Sequence, residues 1–282
     1  MQSLYYTSEV GTLYYLDNLP TEPRETIVFL HGFTGSSRDF LNLPSEILVN
    51  YRCLIPDLPG HGQTQLLETE TVFNVCGQVA LLEAWLKTLA VEKYHLFGYS
   101  MGGRLGLQFA VKNFHYLKSL ILVSTTAGID SEGERLTRYK ADEKLAQAIL
   151  TTESKDFIRL WLSQPLFQGI AEKGHDFVTE EVLRRMPIQS SGLASSLKYF
   201  STGVMPAIWT QLIYIQTPTL VIAGSRDIKY LELASKLVKL IPNSLLEVLE
   251  TTHSPLIESP DLFWQRVNIF LKQLPTPNGG KQ

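Results

Sequence analysis

The chain has 282 residues and a formal net charge of −3, with 44% hydrophobic and 19% charged residues. That length suits a single α/β domain carrying an insertion, and the balance is that of an ordinary soluble globular protein. The charge excludes the basic footprint of a nucleic-acid binder and a polybasic membrane patch, and the lack of an apolar run of about 18 residues excludes a membrane-spanning helix.

In chain order, Met1 to Val10 has no cationic start followed by an apolar stretch, so no signal peptide is expected. Thr26 to Leu30 is a short apolar run ending in His31-Gly32 and reads as a buried strand entering a loop. Tyr51 to Pro56 is a second strand, closed by the turn-rich Asp57 to Gly62. Val72, Val75, Val79, Leu82 and Trp85 are spaced three or four apart, which predicts a helix over Val72 to Leu89. Tyr94 to Tyr99, Ser119 to Val123, Thr219 to Ala223 and Ser244 to Leu249 read as further strands, and Met101 to Val111 and Asp261 to Leu274 as helices.

Strands alternating with helices imply a mostly parallel central sheet with helices on both faces, an α/β architecture. The alternation stops after Ser124, where charge-rich helical sequence such as Asp130 to Leu150 runs without a strand. The expected division is therefore a core of residues 1–123 and 215–282 with a helical cap at 124–214. Pro275 to Gln282 reads as a frayed tail. Cys53 and Cys76 lack metal spacing and cannot form a disulfide framework, so both read as reduced thiols. No metal site is expected, and a cytoplasmic location fits these features.

The string that carries chemistry is Gly98-Tyr99-Ser100-Met101-Gly102. It is a G-x-S-x-G nucleophile elbow, in which a serine sits on a sharp turn between a strand and a helix. Here a strand precedes it and a helix follows. A serine hydroxyl needs a base, and the base needs an orienting carboxylate. With this elbow the partners follow in the order serine, acid, histidine. Asp227 and His253 each lie just past a strand, where open α/β sheets build their sites. His31 and His61 occupy glycine-flanked loops and read as structural, and His95, His115 and His175 as satisfied surface or core groups. An oxyanion hole is expected from the backbone N–H of Met101 and of Phe33 in the loop after the first core strand.

Taken together, His31 to Gly35, Asp57 to Gly62, Gly98 to Gly102, Asp227 and His253 resemble the α/β-hydrolase superfamily across nearly the whole chain. Shorter strings are similar to one family within it, the 2-succinyl-6-hydroxy-2,4-cyclohexadiene-1-carboxylate synthases of menaquinone and phylloquinone biosynthesis. These are His31 to Phe40, Gly98 to Arg104, Glu134 to Arg138 with Asp142 to Ala146, Trp161 to Phe167 and Gly224 to Tyr230. The resemblance implies a cofactor-free lyase that eliminates pyruvate from a small polycarboxylate, with the triad serine acting as a base. It implies carboxylate-binding arginines, whose planar fork suits that task. Arg104, Arg135, Arg138 and Arg185 are the candidates, Arg184 a further one, with Tyr99 and Trp161 lining the pocket. One departure stands out. Many superfamily members carry glycine before the histidine, and here Thr251-Thr252 precede it and Glu258 follows.

Two other readings share these residues. One is a carboxylesterase or a carbon–carbon bond hydrolase on the same scaffold, since fold and triad do not fix a substrate. The other is a non-catalytic ligand receptor, which has no need of a complete triad. Converging arginines favour the polycarboxylate lyase over an esterase of apolar substrates. The sequence leaves the oligomeric state open between a monomer and a small homo-oligomer.

Overall fold

Short apolar runs become strands here because both of their faces find cover. The computed structural model describes residues 1–274, so the tail from Pro275 to Gln282 lies outside the described residues. The strands in chain order are β1 (Gln2–Ser8), β2 (Gly11–Asp17), β3 (Glu25–Leu30), β4 (Tyr51–Pro56), the two-residue β5 (Gln65–Leu66), β6 (Tyr94–Tyr99), β7 (Leu117–Val123), β8 (Thr219–Gly224) and β9 (Ser244–Leu249). In space they run β1-β2-β4-β3-β6-β7-β8-β9, with β5 against β2. Every pairing from β4 across to β9 is parallel, as the alternation predicts.

The antiparallel edge is not foreseen from the sequence. β1 and β2 form a hairpin, β2 pairs antiparallel with β4, and β5 adds to β2. β1 lies on the edge with no residue fully buried, so its hydrophobic contrast is weak. Gly11 turns the hairpin with φ +122°, and a Cβ there would run into the Gln65 carbonyl.

The helices are α1 (Ser45–Asn50), α2 (Glu70–Phe73), α3 (Val75–Thr88), α4 (Met101–Asn113), α5 (Glu132–Thr151), α6 (Ser154–Leu162), α7 (Gln168–Ala171), α8 (His175–Arg184), α9 (Ser190–Phe200), α10 (Ile228–Leu240), α11 (Pro255–Glu258) and α12 (Pro260–Gln273). Strand residues alternate between two cores. Val28, Leu30, Leu96, Leu120 and Leu122 face Trp85 of α3, Phe109 of α4 and Leu237 of α10. Ile27, Phe29, Phe97, Ile121 and Val123 face Ile47 of α1 and Phe263, Trp264 and Val267 of α12. Each such buried side chain contributes roughly 1.5–3 kcal/mol.

The helix expected over Val72 to Leu89 is two helices, α2 and α3. Asn74 breaks it by taking an extended conformation (φ −69°, ψ 172°), and its side chain accepts the Gly77 N–H at 2.9 Å. That hydrogen bond makes Asn74 the N-cap of α3.

Between β7 and β8 the described chain is helical and turn-like, without a strand. Helices α5 to α9 in this stretch share a separate apolar cluster that includes Ile149, Phe157, Leu162, Val182 and Leu197. We refer to them as the cap. Among the described residues, no helix is long and apolar enough to cross a membrane.

Candidate active site

β6 runs through the middle of the sheet and delivers Ser100 at its carboxyl end. Ser100 has φ +50° and ψ −106°, a conformation that a non-glycine residue adopts only under constraint. The flanking glycines explain how the turn closes. A Cβ on Gly98 would press on the backbone of Gly102 and Gly103, and one on Gly102 would collide with the Leu30 carbonyl. The Ser100 N–H donates to the Val123 carbonyl at 2.8 Å, and the Thr125 hydroxyl donates to the Ser100 carbonyl at 2.8 Å. The strained residue is thus held from both sides.

Loops after β8 and β9 bring the two partners. Ser100 Oγ lies 2.9 Å from His253 Nε2, and His253 Nδ1 lies 2.7 Å from Asp227 Oδ2. Asp227 also caps α10, its Oδ1 accepting the Tyr230 N–H at 3.3 Å. With Nδ1–H donating to the carboxylate, Nε2 is left to accept the serine proton. The His253 ring is walled by Tyr230 (centroids 4.4 Å), Tyr99 (5.8 Å) and Phe167 of the cap (5.9 Å). Asp227 and His253 are both buried.

The His253 loop takes its own path. Carbonyls of Thr251 and Thr252 lie where a side chain on Gly224 would be, so the loop packs directly on the end of β8. Arg226 N–H donates to the Thr251 carbonyl at 3.0 Å. The departure from glycine is accommodated by the opposing strand.

His31 and His61 are buried beside this site without joining it. The Leu58 N–H donates to His31 Nε2 at 2.9 Å, and His31 Nδ1 donates to the Gly32 carbonyl at 2.8 Å. Both ring nitrogens are occupied by the neutral tautomer. Burial pushes the His31 pKa down to about 4 and that of His61 to about 3. His95 packs between Ser119 Oγ (2.8 Å) and Glu25 Oε2 (3.1 Å), far from the serine.

Above Ser100 opens a cavity of about 370 Å³ between core and cap. Its wall includes Phe33, Tyr99, Arg104, Arg138, Trp161 and Arg185, together with Ser100 and His253. Arg104 lies one turn along α4 from Ser100. Its Nη1 donates to the Phe200 carbonyl at 2.9 Å, and its guanidinium sits 5.2 Å from the Phe200 ring centre. Desolvation pushes its pKa down to about 10, which still leaves it charged at neutral pH. Among the described residues, no carboxylate lies within ion-pair distance of Arg104. Asp142 on the same wall acts on Arg104 only from beyond ion-pair distance, since its carboxylate is taken by Arg138. A desolvated cation without a paired anion is costly, and an anionic ligand relieves that cost.

The cap arginines are balanced differently. Arg138 Nε meets both oxygens of Asp142, at 2.9 and 2.8 Å. Desolvation opposes its charge, but Asp142 outweighs it and holds the pKa above the ordinary value. Arg185 is buried and donates through Nη1 to the Glu181 carbonyl (2.8 Å) and Oε2 (2.6 Å). Desolvation again opposes, and Asp39 and Glu181 raise its pKa. Trp161 packs edge-on against Phe33 with centroids 5.2 Å apart, joining cap to core over the cavity. The Tyr99 hydroxyl is 2.6 Å from Ser254 Oγ.

Arg135 does not reach the site. It sits on α5 about one turn before Arg138 and is absent from the cavity wall, because only one stripe of that helix faces inward. Arg184 is likewise outside, paired with Glu181 Oε1 at 2.9 Å. As the first residue of α4, Met101 has an amide with no acceptor inside the helix, and Phe33 stands in the loop facing Ser100. Neither amide donates to a turn or loop carbonyl among the described residues.

Three titratable wall residues are not singled out by the sequence: Asp39, Asp142 and Tyr230. Asp142 was within reach of it, since a carboxylate four residues after Arg138 shares its helix face. Desolvation pushes the Asp39 pKa up to about 6, against the pull of Arg185. Among the described residues, no cluster of three or more His, Cys, Asp or Glu is placed to hold a metal ion.

The alpha/beta hydrolase fold family matches residues 25–260. A Bacillus subtilis (strain 168) protein, provisionally named 2-succinyl-6-hydroxy-2,4-cyclohexadiene-1-carboxylate synthase, is 32% identical over 97% of this chain and 100% of its own length. The protein named as that synthase in Citrobacter koseri is 30% identical over 75% of this chain and 81% of its own. The solved structure of MenH from S. aureus superimposes with a TM-score of 0.86 at 33% identity, covering 92% of this chain and 98% of that one.

Proposed function

We propose, from the premise that the chain belongs to the alpha/beta hydrolase fold family and within it to the 2-succinyl-6-hydroxy-2,4-cyclohexadiene-1-carboxylate synthases, that it is a pyruvate-eliminating lyase. It converts 2-succinyl-5-enolpyruvyl-6-hydroxy-3-cyclohexene-1-carboxylate to 2-succinyl-6-hydroxy-2,4-cyclohexadiene-1-carboxylate, a cytoplasmic step of menaquinone or phylloquinone biosynthesis. The observation that carries this reading is the desolvated Arg104 guanidinium, without an ion-pair partner among the described residues, on the wall that also holds Ser100 and His253. A polycarboxylate supplies the missing anion, whereas an apolar ester does not.

In this mechanism residues 124–214 form a cap over a core of 1–123 and 215–282, of which 275–282 lie outside the described residues. Arg104, Arg138 and Arg185 hold the substrate carboxylates and set its orientation, while Tyr99 and Trp161 shape the remaining wall. Ser100 Oγ takes the ring proton alpha to a carbonyl as its own proton passes to His253 Nε2, and Asp227 steadies the imidazolium. The Met101 and Phe33 amides stabilise the enolate oxygen that develops. The electron pair of the broken C–H bond forms a ring double bond between C2 and C3, the pair of the existing C3–C4 double bond shifts to C4–C5, and the C5–O bond breaks with its pair going to the enolpyruvyl oxygen. The proton held on His253 returns to the leaving group, which departs as enolpyruvate and becomes pyruvate. No cofactor takes part.

The test is a steady-state assay of pyruvate release from the enolpyruvyl substrate, with p-nitrophenyl acetate run in parallel. Release that disappears in Ser100→Ala is the expected result. Brisk ester cleavage without pyruvate release would return the protein to the esterase reading.

A further inference from the structure

Glu258 is the last residue of α11 and is not part of the cavity wall. Its carboxylate nevertheless grips the peptide on both sides of His253. Oε2 accepts the Thr252 N–H at 2.6 Å, and Oε1 accepts the Thr252 hydroxyl at 2.6 Å and the Ser254 N–H at 3.0 Å. Three donors from two residues are thus satisfied by one side chain. The remaining amide of the loop, His253 N–H, donates at 3.3 Å to the carbonyl of Leu166 in the cap.

The cap touches the same carboxylate. Gly169 of α7 donates its N–H to Thr252 Oγ1 at 3.3 Å, and a Cβ on Gly169 would collide with Glu258 Oε2. Thr252 Oγ1 therefore stands between the Glu258 carboxylate and the first turn of α7. Ser254 extends the chain of contacts to Tyr99, the residue before the nucleophile.

We propose that Glu258 is a positioning residue that fixes His253 at its distance from Ser100 and couples that distance to the seating of α7. The inference rests on the triad reading of Ser100, His253 and Asp227. Glu258 acts on the histidine backbone and not on the substrate. Its loss therefore lowers kcat and spares KM.

The test uses the full chain and two readouts. One is steady-state pyruvate release. The other is the low-field proton resonance of the His253 Nδ1–H···Asp227 hydrogen bond, which needs no substrate and so separates failure of this inference from failure of the proposed reaction. Glu258→Gln preserves volume but sets an amide donor against a backbone N–H. We expect kcat to fall by about tenfold to a hundredfold, an effect on the scale of a misplaced catalytic group. KM should stay within about twofold and the resonance should shift or broaden. Thr252→Val is the second variant and should give a smaller loss of the same kind. Gly169→Ala, which presses on the carboxylate from the cap, should reproduce the kcat loss. In Gly169→Ala combined with Glu258→Ala the collision is gone, so the pair should be no worse than Glu258→Ala alone. Unchanged kcat and an unmoved resonance in Glu258→Gln and Thr252→Val would overturn the proposal. So would a loss confined to KM, or strictly additive effects in the Gly169 and Glu258 pair.

Discussion

The two walls of the cavity are held by different physics. On the core side, Ser100, Asp227 and His253 stand at the ends of parallel strands, and the contacts that place them are mostly backbone hydrogen bonds. On the cap side, Arg138 and Arg185 stand on helices and are placed by ion pairs with Asp142 and Glu181. A strand end fixes an atom to a narrow range, as an attacking or proton-accepting group requires. A helix-borne arginine with its own counter-ion tolerates some movement and contributes field and orientation. Substitutions of the strand-end triad should therefore appear in kcat and those of the cap arginines in KM.

The largest break in that contrast is Ser100→Ala. Removing the group that takes the proton should lower kcat by about a thousandfold or more, with substrate Kd nearly unchanged in a direct titration. Comparable losses in Kd would show that the serine binds and does not react.

His31 sharpens the contrast from behind the core wall, since it is a buried histidine that must stay neutral. Its pKa is ordinary when unfolded and about 4 when folded. Above pH 6.5 neither state binds the proton and the stability is fully present. As pH falls toward 4, only the unfolded state is protonated, so stability is lost. The shift is worth on the order of 3 kcal/mol, and denaturant unfolding from pH 7 to pH 4 should show it. His31→Gln should flatten that slope. An equal slope in the variant would place the loss elsewhere.

Arg104 belongs to the core by sequence and to the binding wall by charge. Arg104→Met should raise KM by about tenfold to a hundredfold, the scale of a charge-assisted hydrogen bond to carboxylate. The corresponding Arg138→Met loss should be smaller, because Asp142 already neutralises part of that charge. A kcat effect in Arg104→Met with constant KM would remove it from carboxylate binding.

The same division explains what was legible in the sequence. Chain order and the elbow singled out three groups that the structure brings within hydrogen-bonding distance, because the strand ends that carry them are local features with turn signals. The parallel strands were visible through apolar runs. The β1–β2 hairpin was not, since its edge strand buries little. Cap geometry was less readable for a specific reason. Arg135 and Arg138 are three apart in one charged helix, and which of them turns inward depends on how α5 packs against α9. In the histidine loop the departure from glycine falls on Thr251-Thr252, and Glu258 stands only as a residue beyond the histidine, with no hint that it bonds across that loop.

Asp39 supplies the smallest effect and the finest test of charge on the binding wall. No local pattern marks it, because the short 3-10 turn Ser37–Phe40 carries it into the cavity beside Arg185. With a pKa of about 6, its carboxyl is neutral at pH 5 and ionised at pH 7. Ionisation adds a negative charge beside the arginine that faces the substrate carboxylates, and it also draws the Arg185 charge toward itself. Both effects weaken carboxylate binding and have the same sign. KM should therefore rise several-fold between pH 5 and pH 7, and Asp39→Asn should hold it near its low-pH value throughout. A KM that rises equally in the variant would assign the titration to another group. A KM that falls with pH in the wild type would mean that the ionised carboxylate orients Arg185 for binding instead of competing for it.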